Sequence, residues 1–220
     1  FPTGGGPVPI VVGLSLYDLL EGDGSVRPGP AEGRAAAEAA TPTVDAPVPT
    51  GPVGAGTGAT VGTWRGRDHA RPGGLGVAVV AHGSLTVAVV VAVNAAGDIG
   101  DPATSTAVAD GVFRGWPESG DLFTAPPVAG AHARSRGNTT IGAVVTDAGL
   151  TKGECLLLAQ SAHDGLARAV FPPHMRSDGD AFVAAATGTV PRGNGDGGAD
   201  LDVLRVLTVA AVEQAVVRAC

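Results

Sequence analysis

Two apolar runs separated by a short turn constrain the fold of this chain more than any other feature. Residues 75–81 and 85–94 are rich in β-branched side chains, and His82-Gly83-Ser84 joins them. β-branched side chains favour strands, and a short connection that contains Gly is typical of a β-hairpin. The two runs therefore predict an antiparallel pair of strands, which favours a layered fold over a doubly wound parallel sheet.

Helical and extended patterns are mixed along the rest of the chain. Thr151 and Glu154 form a capping box, so a helix is predicted to begin there. Further helices are predicted over residues 31–40, after Pro30, and 202–218; further strands over 8–12, 14–20, 140–146 and 181–186; and loops over 41–62, 98–137 and 191–199. This mixture predicts an α/β (α+β) layered sandwich that forms a single domain over residues 1–220.

Composition and charge narrow the class of partner. The net charge is -7 and no Lys/Arg cluster stands out, which argues against a nucleic-acid partner. No apolar run reaches the length of a membrane span, so no membrane partner is expected. Cys155 and Cys220 lie in helical patterns, which favours free thiols and a reducing, cytoplasmic location over a disulfide framework. Because the chain begins at Phe1, we expect an N-terminally incomplete sequence.

The segment Gly137-Asn138-Thr139-Thr140-Ile141 joins a polar stretch directly to a predicted buried strand. A chain that cuts itself at such a junction needs Ser or Thr there, because the hydroxyl must attack the preceding carbonyl group. The new α-amino group would then lie beside that hydroxyl and act as its base, since its ordinary pKa is about 7.7–8.0. Two other interpretations fit the same residues: a strand that starts after a turn, and an N-glycosylation sequon in an exported chain.

Three further features carry polar groups that suit a reaction site. Asp178-Gly179-Asp180 places two carboxylates on either side of a Gly, where they could orient a reacting group or form an ordinary acidic turn. The Gly-rich loop at residues 54–62 exposes main-chain N–H groups that could hold an oxyanion, and it matches no nucleotide-binding pattern. Asn94 ends an apolar strand, where it could cap the strand or donate to an oxyanion. The five histidines show no metal-ligand spacing.

Several phrases of this sequence, taken in order, resemble the family of DmpA-type aminopeptidases and nylon-oligomer hydrolases. The match is strongest over residues 137–147, 162–169 and 178–180, and it extends upstream to residues 1–11, 53–62 and 92–95. The Asn138–Thr139 junction is more similar to the nylon-oligomer branch than to the Gly-Ser junction of the DmpA aminopeptidases. The resemblance therefore covers nearly the whole chain.

This resemblance implies a self-processing hydrolase with an αββα sandwich fold. It implies cleavage between Asn138 and Thr139 into fragments 1–138 and 139–220, with Thr139 as nucleophile, Asp178 and Asp180 beside it, and Asn94 at the reacting centre. The implied substrates are short peptides with a free amino end, simple amides or esters, or nylon oligomers. The implied assembly is a homo-oligomer of processed heterodimers, and no cofactor or metal is expected.

Two departures from the family pattern accompany the resemblance. Nylon-oligomer hydrolases carry a Lys just after the Gly-rich loop, where this chain has Thr63-Trp64-Arg65. The cationic role is therefore either unfilled or taken by Arg65, and the predicted oxyanion or substrate loop is Gly56, Thr57 and Gly58 with Arg65. The family's N-terminal segment is also missing from this sequence. An acyltransferase of the ornithine-acetyltransferase type and a non-catalytic remnant are the alternative functions.

Overall fold

A computed structural model of the chain describes residues 1–40, 47–116, 137–192 and 200–220. Its helices are α1 (Pro30–Ala39), α2 (Pro102–Ala109), α3 (Lys152–Ala169) and α4 (Leu201–Arg218). Its strands are β1 (Thr60–Val61), β2 (Arg71–Pro72), β3 (Gly74–His82), β4 (Leu85–Val93), β5 (Asp98–Ile99), β6 (Ile141–Ala148), β7 (Val170–Phe171) and β8 (Ala181–Val190). The mixed α/β class expected from the sequence is confirmed.

The predicted hairpin forms the edge of a four-stranded sheet with the order β3-β4-β6-β8. Strands β3 and β4 pair antiparallel from Gly74 opposite Val93 to His82 opposite Leu85, and Gly83 adopts a positive φ of 59° in the turn. Strand β6 pairs antiparallel with β4 and parallel with β8. Since parallel strands need a long connection, α3 lies between β6 and β8 in the chain.

Helices α3 and α4 pack together and cover one face of this sheet. The Thr151–Glu154 capping box forms as predicted at the start of α3. Alternate residues of β4, from Leu85 to Val93, point toward the helices and are buried, as are Leu204, Leu207, Ala211 and Ala215 of α4. The core is therefore built from small aliphatic side chains, which suits a chain with 4% aromatic residues.

Some of the strands and loops predicted from the sequence were wrong. Residues 8–12 and 14–20 form no strand, and Ile10, Val11 and Val12 are exposed, because no described segment offers them a pairing partner. The predicted loop at 98–137 contains α2, whose start is capped when Asp101 accepts a hydrogen bond from Ala103 N–H. Residues 117–136 and 193–199 of the predicted loops lie outside the described residues.

The other face of the four-stranded sheet is apolar and exposed. Val79, Val90 and Val145 on this face are 60%, 45% and 40% exposed. The described residues thus supply a four-stranded sheet covered by one helical layer, together with the two-stranded sheets β1-β2 and β5-β7. A search of the described helices for one long and apolar enough to cross a membrane found none.

Candidate active site

The predicted cleavage junction lies where β6 and β8 first come together. Asn138 pairs with Asp178 in parallel register, just ahead of the two strands. Gly179 N–H donates to the Asn138 carbonyl oxygen at 3.0 Å, and Ala181 N–H donates to that of Thr140 at 2.9 Å. This pairing brings the junction beside the Asp178-Gly179-Asp180 segment, although 40 residues separate Thr139 from Gly179 in the chain.

Thr139 is held at both its hydroxyl and its main-chain nitrogen. Its side chain contacts the group that it would attack, since Oγ1 donates to the Asn138 carbonyl oxygen at 2.5 Å. Its N–H donates to the Asn94 carbonyl oxygen at 2.7 Å. The residue is 9% exposed, so Thr139 itself is largely shielded from water.

Asn94 follows β4 directly, and its buried side chain joins three segments of the chain. Its Oδ1 accepts from Thr60 N–H at 2.8 Å, and its Nδ2 donates to the carbonyl oxygens of Tyr17 at 2.9 Å and Gly137 at 2.8 Å. Both amide protons are therefore used in the uncut chain. The Asn94 side chain therefore holds Gly137, just ahead of the junction, and the Asn94 carbonyl oxygen holds the Thr139 N–H.

Asp178 is held by main-chain donors on both of its carboxylate oxygens. Ala96 N–H donates to Oδ1 at 3.0 Å and Met175 N–H donates to Oδ2 at 2.8 Å. Burial raises the pKa of the Asp178 carboxyl from 3.8 to about 6, the Ala96 hydrogen bond opposes that rise, and the nearby charge of Asp180 adds to it. The carboxyl is therefore mostly ionised at neutral pH and can accept a further proton.

Asp180 is more deeply buried, with 4% of its side chain exposed. Its Oδ1 accepts from Thr140 N–H at 2.7 Å, and its Oδ2 lies 2.7 Å from His174 Nδ1. His174 is the only non-Gly residue with positive φ in the described ranges, at 50°. The His163 ring lies 5.0 Å from the His174 ring, and burial followed by repulsion from His174 lowers the pKa of His163.

Sequence reasoning did not single out His174 or Thr63 as site residues. His174 reaches Asp180, and Thr63 Oγ1 donates to Asn138 Oδ1 at 3.0 Å. Neither residue belongs to a motif, and each reaches the junction through a loop. The β6–β8 pairing places His174 there, whereas Thr63 follows β1, whose Thr60 N–H donates to Asn94.

The Gly-rich loop contacts the site through a single main-chain group. Thr60 N–H binds Asn94, whereas Thr57 Oγ1 donates within the loop to Gly54 at 2.7 Å. Gly56 packs against the main chain of β3, because a Cβ there would lie 2.2 Å from Leu75 N. Gly58 packs against the Asp18 side chain, where a Cβ would lie 2.6 Å from the carboxylate.

Arg65 is bound in an ion cluster beside the site. It donates to buried Asp98 at 2.8 Å, as do Trp64 Nε1 at 2.7 Å and Arg71 at 3.1 Å. The described residues show no hydrogen bond or ion pair from Arg65 to Thr139, Asp178 or Asp180. The structure therefore brings Thr139, Asn94, Asp178 and Asp180 together where β6 and β8 begin, although no hydrogen bond among the described residues joins either carboxylate to Thr139. Gly58 lines a cleft beside Asn94, whereas Gly56, Thr57 and Arg65 make no hydrogen bond to these four residues within the described ranges.

A small cleft, partly open to solvent, lies beside Asn94 and Gly137. Tyr17, Asp18, Gly58 and Arg67 contribute to its walls. Its lining is polar and carries charge of both signs.

The chain resembles known proteins of one peptidase family. The model of peptidase family S58 matches residues 7–220. An uncharacterised aminopeptidase of Mycobacterium leprae is 40% identical over 203 residues, which cover 84% of this chain and 51% of that protein. A 6-aminohexanoate-oligomer endohydrolase of Paenarthrobacter ureafaciens is 30% identical over 195 residues, covering 84% of this chain and 52% of that enzyme.

Two solved structures share the fold. A Burkholderia sp. beta-aminopeptidase superposes with a TM-score of 0.51 at 28% identity, over 79% of this chain and 46% of that one. An L-aminopeptidase D-Ala-esterase/amidase of Ochrobactrum anthropi, described as a variant of the Ntn hydrolase fold, gives 0.51 at 25% identity over 79% and 45%. The chain spans about half the length of the curated relatives it matches.

Proposed function

This chain belongs to peptidase family S58, and on that premise we propose that it is part of a self-processing amide hydrolase whose nucleophile is Thr139. The observation that carries the proposal is the contact between Thr139 Oγ1 and the Asn138 carbonyl oxygen, at 2.5 Å. This contact places the hydroxyl next to the peptide group that it would attack. Such orientation can supply effective molarities of roughly 10⁵ M or more.

Self-cleavage proceeds through an ester. Thr139 Oγ attacks the Asn138 carbonyl carbon, a bond forms between them, and the carbonyl electrons move onto the oxygen. When the carbonyl re-forms, the bond to the Thr139 nitrogen breaks and the nitrogen takes a proton. The Asn138 acyl group is then joined to Oγ. Water hydrolyses this ester, which leaves the Asn138 carboxylate and a free Thr139 hydroxyl and α-amino group.

The two carboxylates suit the proton transfers of this reaction. Asp178 is mostly ionised at neutral pH because its pKa is about 6, and we assign it as the acceptor of the hydroxyl proton. Asp180 is fixed by Thr140 and His174, so its charge stabilises the positive nitrogen of the leaving amine. After cleavage the α-amino group of Thr139, which keeps the Asn94 carbonyl oxygen as its partner, serves as the base for later turnovers.

Asn94 changes its role when the junction is cut. Before cleavage one of its amide protons binds the Gly137 carbonyl oxygen. When the new C-terminal end at Asn138 moves out of the site, that amide proton loses its partner. It can then be donated to the carbonyl oxygen of a substrate, where an oriented donor stabilises the developing negative charge.

The proposed substrates are short peptides with a free amino end or linear amide oligomers. The matched relatives include proteins named as aminopeptidases and as 6-aminohexanoate-oligomer endohydrolases. We include in this proposal a homo-oligomer of processed heterodimers and a cytoplasmic location. The free state of Cys155 and Cys220 supports a reducing compartment.

Substitution of the nucleophile tests the proposal. Thr139→Ala should leave the chain uncut and inactive toward a peptide amide and a 6-aminohexanoate oligomer, while Thr139→Ser should still cut itself because it keeps the hydroxyl. Thr187→Ala removes an exposed hydroxyl of β8 and is the control. An uncut wild-type chain, or Thr139→Ala that cuts normally, would refute self-processing. Adding ornithine as acceptor to the same assay distinguishes acyl transfer from hydrolysis.

A further inference from the structure

We propose that the main-chain N–H of Gly179 is the hydrogen-bond donor that stabilises the oxyanion at the Asn138–Thr139 junction, and that the missing side chain of Gly179 leaves room for the Thr139 hydroxyl. This inference rests on the proposed self-cleavage and names a further catalytic group for it. The sequence analysis assigned roles to the two carboxylates on either side of Gly179 but none to the Gly itself.

The first observation is the direction of the Gly179 N–H bond. It donates at 3.0 Å to the Asn138 carbonyl oxygen, which is the oxygen that gains negative charge when Thr139 attacks. Donors at roughly 2.7–3.1 Å from the position that the oxyanion will occupy stabilise tetrahedral intermediates, and this donor already points at the ground-state oxygen from which the oxyanion forms. The pairing of Asn138 with Asp178 fixes this donor before the reaction starts, so no reorganisation is needed.

The second observation is the space around Gly179. A Cβ on this residue would lie 3.0 Å from Thr139 Oγ1, which is tighter than an ordinary contact, and 3.8 Å from Cγ2. The φ of Gly179 is not in the left-handed region, so the main-chain conformation does not require Gly. The nearby nucleophile is the group that a side chain would crowd, and its hydroxyl would have to shift by a few tenths of an ångström.

Without a hydrogen-bond donor, the negatively charged oxyanion would form close to two carboxylates. Two carboxylates flank Gly179, and Asp178 is mostly ionised at neutral pH. Negative charge on the Asn138 oxygen is repelled by nearby carboxylates, because like charges repel one another. A donor that points at this oxygen offsets the repulsion, and the described contacts supply Gly179 N–H and the Thr139 hydroxyl. The hydroxyl loses its proton as it attacks, which leaves Gly179 N–H as the lasting donor.

The same donor then serves substrate turnover. The ester formed during self-cleavage joins an acyl group to Thr139 Oγ, and the acyl-enzyme formed from a substrate has the same bonding. Once fragment 1–138 releases the Asn138 carbonyl, Gly179 N–H is free to bind the carbonyl oxygen of the substrate. The donor is thus shared by both reactions of the nucleophile.

A single-atom change in the main chain tests the proposal. Replacing Gly179 by glycolic acid during cell-free translation of the whole encoded chain substitutes an ester oxygen for the N–H and changes no side chain. The control replaces Ala181 by lactic acid, which removes the equivalent bond to the Thr140 carbonyl oxygen two residues away. Both esters weaken the same pairing of β6 with β8, so both have the same kind of effect on folding.

We expect the ester at 179 to slow self-cleavage by about 10²–10³-fold, the usual effect of losing one oxyanion donor. The ester at 181 should cut within about threefold of wild type. Equal rates for the two esters would overturn the role of Gly179 while leaving self-processing intact, because the wild type would still cut. A wild-type chain that stays uncut would overturn both proposals together.

A side-chain variant tests the space requirement separately. Gly179→Ala keeps the N–H but crowds Oγ1, so we expect cleavage to slow by at least tenfold. Adding Thr139→Ser removes Cγ2, lets the hydroxyl move away, and should restore part of the rate. Gly153→Ala is the matched control, because a Cβ at Gly153 meets nothing within 4 Å. A Gly179→Ala chain that cuts at the wild-type rate would contradict the crowding argument.

Discussion

At the scale of single residues, main-chain groups rather than side chains position the reacting atoms. Thr139 is held by the carbonyl oxygens of Asn94 and Asn138, and Asp178 by the N–H groups of Ala96 and Met175. Main-chain groups of a sheet and its loops move little, so the site is ordered before substrate binds. This arrangement suits a reaction in which the chain is its own first substrate.

The raised pKa of Asp178 predicts a pH dependence of stability. The folded carboxyl binds its proton more tightly than in the unfolded chain, where the pKa is near 3.8, so stability should fall as pH rises from about 4 to about 6. In the uncut Thr139→Ala chain, Asp178→Asn should remove this part of the slope. Urea unfolding across that pH range measures it, and parallel curves for the two chains would contradict the expected burial.

We expect replacement of Thr140, the residue after the nucleophile, to stabilise the protein. Its Oγ1 is buried and has no hydrogen-bond partner among the described residues. Thr140→Val should therefore raise the free energy of unfolding by about 1–3 kcal/mol, the usual cost of an unpaired buried polar group. The control is Thr146→Val, which removes a buried hydroxyl that donates to the Thr86 carbonyl oxygen at 2.8 Å and should be destabilising. Equal losses in both variants would show that the Thr140 hydroxyl is bonded.

At the scale of elements, the parallel pairing of β6 with β8 creates the site. Asn138 and Thr139 lie at the start of one strand, and Asp178 and Asp180 lie at the start of the other. Parallel neighbours begin at the same edge of a sheet, so the polar residues that precede them meet. Helix α3 provides the connection that this pairing requires.

Close contact between α4 and β3 predicts the effect of a small substitution. A Cβ at Gly76 would lie 1.8 Å from the Ala215 carbonyl oxygen, so the helix would have to move away from the sheet. Gly76→Ala should lower the free energy of unfolding by about 1–3 kcal/mol or more. Gly153→Ala in α3 meets open space and should be neutral or stabilising by up to about 1 kcal/mol. Denaturant unfolding compares the two, and a neutral Gly76→Ala would contradict the packing described here.

Local patterns in the sequence predicted individual helices and strands better than the contacts between them. The hairpin and the Thr151 capping box depend on residues close together in the chain, and both are present as expected. The strands expected at 8–12 and 14–20 were wrong, because an apolar run forms a strand only where a partner is available. The convergence of His174 and Thr63 on the junction depends on long-range pairing, which no local pattern contains.

At the scale of the whole molecule, one face of the main sheet lies open. Helices α3 and α4 cover the opposite face, while Val79, Val90 and Val145 remain exposed. Apolar sheet faces of this kind promote association, because burial removes their surface from water.

The open face predicts self-association of the 220-residue chain on its own. Val90→Thr combined with Val145→Thr should weaken that association, and it should change the free energy of unfolding by no more than about 0.5 kcal/mol because both sites are exposed. Val91→Thr, on the covered face, should instead be destabilising. Sedimentation velocity over a concentration series measures association, and an unchanged profile for the double variant would contradict a role for this face.

Self-cleavage between Asn138 and Thr139 can be tested directly in the wild-type protein. N-terminal sequencing of the smaller fragment, together with its intact mass, identifies the peptide bond that was cut. If the chain cuts itself before Thr139, this fragment begins Thr-Thr-Ile-Gly-Ala and ends at Cys220. A chain that stays whole, or a fragment that begins at any other residue, would contradict it.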